Sequence, residues 1–350
     1  MTGAPTGDSS ADLASNVLKG LADADGLVRD GRGMDAIRLL TEANRLHRHP
    51  QIEEQLVAMR HEMFAAPDET PEPPPVEIRP EHTVHPLAPT DPRELDVATL
   101  RRGLARHGCV LVRGLIPAER ADMLARGIDR ALDAFDTCMA ASGPKAASPW
   151  YVPFTPRTGD YRVGGRRRWV RASGALWTVD SPRMLFELLE VVHETGVGSL
   201  VETYLSERPA LSANKCTLRR VPVDTSTDWH QDGAFLGRQV RTLNLWLALS
   251  SCGTDAPGLE IVPRRFDDVL DTGTDGALFN WSVSSAVVER AADGVGVLRP
   301  EFAPGDALLF DHLFLHRTGV TAGMSRERWA IETWFFAPSS YPQGQIPVAY

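Results

Sequence analysis

In the stretch Asp228-Trp229-His230-Gln231-Asp232-Gly233 an imidazole and a carboxylate stand two residues apart, directly before a glycine. On an extended strand residues i and i+2 point to one face, so His230 and Asp232 could address the same metal ion while Gln231 points away. Spacing alone decides little, because 10 His and 26 Asp among 350 residues give roughly 0.7 His-x-Asp matches by chance. A third ligand is required. The segment PGDALLFDHLFLHRTG offers His316, read here at the end of an apolar strand, 86 residues (316 − 230) after His230. Two imidazoles and one carboxylate on one face of an octahedron suit ferrous iron and leave the opposite positions for a cosubstrate and dioxygen.

Twelve residues beyond His316 comes Arg328, in SRERWAIETWF, on a strand whose parity puts Arg326, Arg328 and Ala330 on one face. A guanidinium there can pair bidentately with the far carboxylate of a 2-oxo acid that chelates the metal. A basic cluster, Arg162 with Arg166, Arg167, Arg168 and Arg171, reads as a loop. It is either solvated or, if it overhangs the mouth of the site, able to grip an anionic group of a substrate, with Arg168 and Arg171 as the candidates. Tyr151, Trp169 and Trp177 flank it and either fill the core or wall the pocket; Trp177 is the candidate substrate contact.

These groups need a scaffold. Residues 11–64 carry helical stripes, Leu13, Val17 and Leu21, then Ile37, Leu40 and Leu46, then Ile52, Leu56 and Met63, which predict a helical module over 1–66. Nine prolines between Pro67 and Pro92 predict an extended linker over 67–92. The remainder, 93–350, opens with a helix, a short strand (Cys109 to Arg113), a turn at Pro117 and a long amphipathic helix. It then turns to short apolar or alternating runs, KCTLRRV, VRTLNLWLALS, GLEIVP, DALLFDH and RWAIETWFF, separated by Pro and Gly. Such runs predict a β-sandwich or jelly roll buttressed by helices.

The order of these segments resembles the phytanoyl-CoA dioxygenase family of Fe(II)/2-oxoglutarate-dependent oxygenases over roughly 95–340. The matching stretches are HGCVLVRGLIPAERADML, LRRVPVDTSTDWHQDGAF, NLWLALS, GLEIVPRR, PGDALLFDHLFLHRTG and RERWAI. The resemblance implies a cupin-like double-stranded β-helix core of mixed α+β, mainly β character. It implies His230, Asp232 and His316 as iron ligands and Arg328 as the partner of the 2-oxoglutarate carboxylate. Thr318 matches a hydroxyl position that helps hold the same group, and Trp246 and Asn244 fall on the strand lining the cosubstrate pocket. The family pattern puts the distal ligand just before the Arg-Thr-Gly turn, which leaves His312 as a packing residue. Two features depart from the family. Pro263-Arg264-Arg265-Phe266 replaces the usual Pro-Gly-Ser-His, and the distal arginine stands one residue late, so Arg326 competes with Arg328.

Bulk properties narrow the class further. A net charge of −9, from 46 acids against 37 bases, gives no general attraction to nucleic acid or anionic membrane. The N-terminal stretch lacks a basic region followed by an apolar one, and no run reaches the 18 or so apolar residues of a bilayer span, so a cytoplasmic protein is expected. Cys109, Cys138, Cys216 and Cys252 lie far apart and read as buried thiols. Only Lys19, Lys145 and Lys215 are lysines, an arginine bias attributed to a GC-rich bacterial genome.

The expected function is hydroxylation of a small molecule, a natural-product or amino-acid-derived intermediate, anionic or carrier-tethered, by a monomer or homodimer using Fe(II), 2-oxoglutarate and O2. Family halogenases replace the carboxylate ligand by Ala or Gly, so Asp232 argues against halogenation, while desaturation, epoxidation and cyclisation stay open. The rival class is a non-catalytic, cupin-like metal or metabolite binder, which would have no use for Arg328.

Overall fold

A computed structural model describes residues 10–65, 86–141, 148–159, 161 and 163–350. Three helices come first, α1 (Ser10–Arg29), α2 (Gly33–Leu46) and α3 (Pro50–Glu62), followed by α4 (Val97–His107), β1 (Cys109–Val112) and the long α5 (Ala118–Ala140). Next come α6 (Gly164–Ala172), β2 (Ala175–Trp177), α7 (Pro182–Glu194), α8 (Val197–Leu205), β3 (Ala210–Ser212) and β4 (Thr217–Val221). A single turn α9 (Gly233–Leu236) precedes β5 (Thr242–Ala248), β6 (Gly258–Ile261) and α10 (Ser285–Ala291). The last strands are β7 (Ala307–Phe310), β8 (His316–Gly319), β9 (Arg328–Phe336) and β10 (Pro347–Ala349).

Local chemistry accounts for the boundaries. Asp96 caps α4 by accepting from Thr99 N at 2.7 Å, the usual device for an orphan amide at a helix start. The same helix stops at Gly108 in the left-handed region (φ 70°), where a Cβ would lie 2.7 Å from Arg264 O. Only glycine fits both demands, and the chain can then turn straight into β1.

The larger sheet is antiparallel, in the order β1-β7-β5-β9-β3-β10, with β4 sharing an edge of β9 and β2 outside β4. The smaller sheet pairs β6 with β8 and is extended by bridges His230–His316 and Ile261–Leu298. Period-two alternation along β9 builds the layers. Trp329, Ile331 and Phe335 face the main apolar cluster shared with α4, α5 and α7. Ala330, Trp334 and Phe336 face a second cluster with Trp246, Leu308 and Phe310 of the larger sheet and Leu259 and Ile261 of the smaller. That second cluster is the interior between two facing sheets, the double-stranded β-helix expected from the motif order. Trp229, Val262 and Leu315 pack under Val287 and Val288 of α10, which covers the outer face of the smaller sheet.

The expected N-terminal helices form and bury Ile37, Leu40, Ile52, Leu56 and Met59 against Phe186 of α7, whereas Leu46 stays exposed. Arg45 binds Glu190 through two bonds of 2.7 and 2.9 Å, Arg183 reaches Glu53 at 2.5 Å, and His61 Nδ1 lies 2.8 Å from Pro347 O. Most of the proline-rich 67–92 stretch lies outside the described residues; at its end Thr90 forms a parallel bridge with Val112. No helix among the described residues is long and apolar enough to cross a membrane. Cys109, Cys216 and Cys252 are buried free thiols, and Cys138 is half-buried.

Three local expectations are corrected. The arginine cluster is helical, since Arg166 to Arg171 fall in α6; arginine is a good helix former, and no proline interrupts the run. The apolar run through His316 is two strands, not one. Asp311 Oδ1 accepts from Leu313 N at 3.0 Å and turns the chain after β7, so His316 opens β8 and shares no strand with His312. Asp232 sits in helical backbone at the start of α9 (φ −61°, ψ −22°), not on an extended strand.

Candidate metal centre

His230 and His316 are a cross-strand pair. Their backbones exchange hydrogen bonds of 3.0 and 3.1 Å, and their rings lie side by side with centroids 4.5 Å apart. A hydrogen-bonded antiparallel pair directs both side chains to the same face, here the interior. His230 Nδ1 is 2.8 Å from Asp228 O, and His316 Nδ1 is 3.0 Å from Phe314 O. A carbonyl oxygen can only accept, so each neutral ring carries its proton on Nδ1 and keeps the Nε2 lone pair for a metal.

The helical turn at Asp232 brings its carboxylate to the same point, with Oδ2 3.7 Å from His316 Nε2. One ligand atom from each of His230, Asp232 and His316 lies within 4.8 Å of the others. Gly233 makes this possible by close approach: a Cβ there would meet Val269 at 2.7 Å and the His312 ring at 3.0 Å. His312 thus packs under the turn, with Nε2 3.1 Å from Arg238 O. Gln231 is wholly buried and binds Leu313 O (2.6 Å) and Leu270 N (2.7 Å), tying the ligand segment to two loops.

Burial, and then the neighbouring His316, push the His230 imidazole down to about 4. Burial would push Asp232 up, but the Lys215 ammonium and the two imidazoles outweigh it and hold the carboxyl below its usual range. Both shifts leave the groups in the protonation states that metal ligation needs. Lys215, which sequence reasoning missed, lies 3.3 Å from Asp232 Oδ1 and 3.7 Å from the Phe235 ring centroid. Its only visible signal was its rarity as a lysine.

On the opposing sheet, Arg328 is 0% exposed. It donates from Nη1 to Pro257 O (3.2 Å) and Gly258 O (3.4 Å) and from Nη2 to Thr318 Oγ1 (3.4 Å). Its guanidinium carbon is 5.4 Å from the centre of the Trp246 ring. Burial pushes Arg328 down to about 10, which still leaves it a cation at neutral pH. Arg326 is exposed and precedes β9. Asn244 and Trp246 pair with Trp334 and Glu332 across β5 and β9, so they share the inner face with Arg328. Glu332, also missed from sequence, stands there with Arg219 at 2.8 Å; burial pushes its carboxyl up, but Arg219, Arg328 and the Thr217 hydroxyl together hold it below its usual range.

The donor set fits the expected groups. Two Nε2 atoms and one carboxylate oxygen suit ferrous iron. Arg328 Nε and Trp246 Nε1 are buried donors without a protein partner, which suits a carboxylate-bearing ligand. The suggested substrate contacts stand on α6 and β2. Trp177 is buried in the main core and Arg171 forms two bonds to Asp136 of 3.0 and 2.6 Å. Arg168 is exposed on α6, and Arg162 lies outside the described residues. Tyr151 is buried, whereas Trp169 is exposed.

No protein-family model matches the chain, and no curated protein matches it. Among solved structures, it is similar to EctD from S. alaskensis with 2-oxoglutarate and 5-hydroxyectoine, at 14% identity and TM-score 0.50, covering 80% of this chain and 89% of that one. AviO1 from Streptomyces viridochromogenes Tue57 matches at 18% identity and TM-score 0.44, over 71% of this chain and 98% of that one. EvdO2 from Micromonospora carbonacea var. aurantiaca, complexed with 2-oxoglutarate, matches at 16% and 0.44, over 72% and 91%. The chain has the fold of EctD, a double-stranded β-helix with buttressing helices, and this is the fold that its resemblance to the phytanoyl-CoA dioxygenase-like oxygenases implied.

Proposed function

We propose that this chain is a non-haem Fe(II)/2-oxoglutarate-dependent oxygenase acting on a small molecule in the cytoplasm, with hydroxylation as its reaction. The convergence of His230, Asp232 and His316 on one point carries the reading, and the solved relative with 2-oxoglutarate supports the choice of cosubstrate. Ferrous iron, when bound with 2-oxoglutarate and dioxygen, supplies oxidation of a substrate C–H bond to an alcohol, coupled to conversion of the cosubstrate to succinate and CO2.

The chain's own residues do the rest. His230 and His316 present Nε2 because their Nδ1 protons are committed to backbone carbonyls. Asp232 offers Oδ2 while Lys215 holds Oδ1, so the carboxylate is oriented before any metal arrives. Arg328, with Thr318, takes the far carboxylate of 2-oxoglutarate in a site from which water is excluded, where a charge-assisted pair is strongest. Trp246 Nε1 lines the same inner face as an unpartnered donor that would meet one of its oxygens, and Asn244 shares that face. The intact carboxylate at 232 favours oxygenation over halogenation.

Anaerobic titration of the protein with Fe(II) and 2-oxoglutarate should give a visible charge-transfer band, and admission of air should then yield succinate. Iron binding without either signal would replace this reading with that of a metal-holding binder.

A further inference from the structure

Beside the triad, on the side of His230, three aromatic rings form a wall that the iron and cosubstrate chemistry does not use. The Phe235 ring lies near-parallel to the His230 imidazole (29°, centroids 6.2 Å), and Trp281 meets that imidazole edge-on at 5.8 Å and 88°. Trp281 also stands at 86° to Phe235, and Phe279 stacks on Trp281 at 5.1 Å and 3°. The four rings thus fall into two sets of planes at right angles.

Two of the three rings face water, and Trp281 is half-buried. Phe235 is 41% exposed, Phe279 52% and the adjoining Leu278 78%. The segment is nonetheless pinned: Val283 N donates to Trp229 O at 2.8 Å, one residue before His230. Buried Ser282 closes the turn through Phe279 N at 3.0 Å. A backbone that holds large apolar rings out in solvent next to a ligand-binding centre marks a recognition surface.

We propose that Phe235, Phe279 and Trp281 form the substrate wall of this site and that the substrate presents a planar aromatic ring to it. The inference rests on the oxygenase reading for the word substrate, but not for the ring preference itself. A flat ring entering a corner of perpendicular planes stacks on one set and meets the other edge-on, the two arrangements aromatic pairs prefer. A saturated group of the same size gains only the burial of area. The wall begins at a metal ligand, so a ring seated on it lies beside the reacting position.

The test compares 2-naphthol with its saturated counterpart, decahydro-2-naphthol, by saturation-transfer NMR titration of the full chain, metal-free and again with Fe(II) and 2-oxoglutarate under nitrogen. The flat probe should bind about tenfold more tightly, since each well-placed ring pair adds roughly 0.5–1.5 kcal/mol beyond area burial. Phe279→Leu and Trp281→Leu, which keep apolar area and remove the ring, should each shrink that ratio. Equal affinity, no saturable binding of either probe, or a ratio surviving both substitutions would overturn the proposal. So would Trp281→Leu dissociating a dimer in light scattering, which would assign the wall to a second copy of the chain. Failure to bind iron strikes only the oxygenase reading, because the ring preference is measured in the metal-free protein as well.

Discussion

Replacing Arg328 by Met keeps most of the stem volume of a side chain that is 0% exposed while removing its charge and its forked donors. The guanidinium makes three long contacts, of 3.2, 3.4 and 3.4 Å, and leaves Nε unpartnered. Little protein hydrogen bonding therefore competes with a bound carboxylate for this cation. A hydrogen bond to a charged group is worth up to about 3 kcal/mol, or about two orders of magnitude in an equilibrium constant. The apparent requirement for 2-oxoglutarate should rise by that amount in Arg328→Met. Iron affinity should change little, because the proposed iron ligands come from the other sheet and its adjoining turn. Arg326→Ala should leave the 2-oxoglutarate titration within about twofold of the parent, since an exposed cation ahead of the strand is screened by water. Steady-state titration of succinate formation against 2-oxoglutarate measures both. The reverse ranking, or equal effects, would refute the placement of the cosubstrate anchor at the buried end of β9.

Other consequences can be checked alongside. His230→Ala and His316→Ala should each weaken iron binding by more than the about 10–100-fold that loss of an outer-sphere partner costs, while His312→Ala should retain iron; metal analysis after desalting decides between them. Thr318→Val removes one neutral hydroxyl and should raise the 2-oxoglutarate requirement by only about fivefold, the equivalent of about 1 kcal/mol, in the same titration. Asp180→Asn removes the charge of a fully buried carboxylate that accepts from Arg167 at 2.7 and 2.8 Å and turns one of its two acceptor oxygens into a donor facing that guanidinium. It should cost about 3–5 kcal/mol, seen as a lower Tm with unchanged iron stoichiometry. Residues 1–66 are proposed to be a separable module. Their deletion should leave a folded, iron-binding body, weakened by about 1.5–3 kcal/mol through exposure of Phe186 alone; an insoluble product would instead make these helices part of the core.

What the sequence determined by itself was the set of short-range patterns. The alternation of RWAIETWFF already separated Arg328 from Trp329 and Ile331, because strand parity is a property of consecutive residues, and the helical stripes of Ile37, Leu40, Ile52 and Leu56 already marked a buried face. The three residues proposed as ligands were legible from their types and their order along the chain. Their geometry was not. That His230 and His316 lie opposite one another follows from a register between strands 86 residues (316 − 230) apart, which no local pattern encodes. Asp232 reaches the same point from a helical turn because Gly233 can press against His312, a contact that exists only once the turn after β7 has folded. Lys215 and Glu332 acquired their places beside the site in the same way, through pairings set elsewhere on the sheet. The aromatic wall was hidden for the opposite reason. Phe279 and Trp281 look like ordinary core residues in a polar loop, and exposure is a property of what fails to cover a side chain, which only the assembled tertiary structure decides.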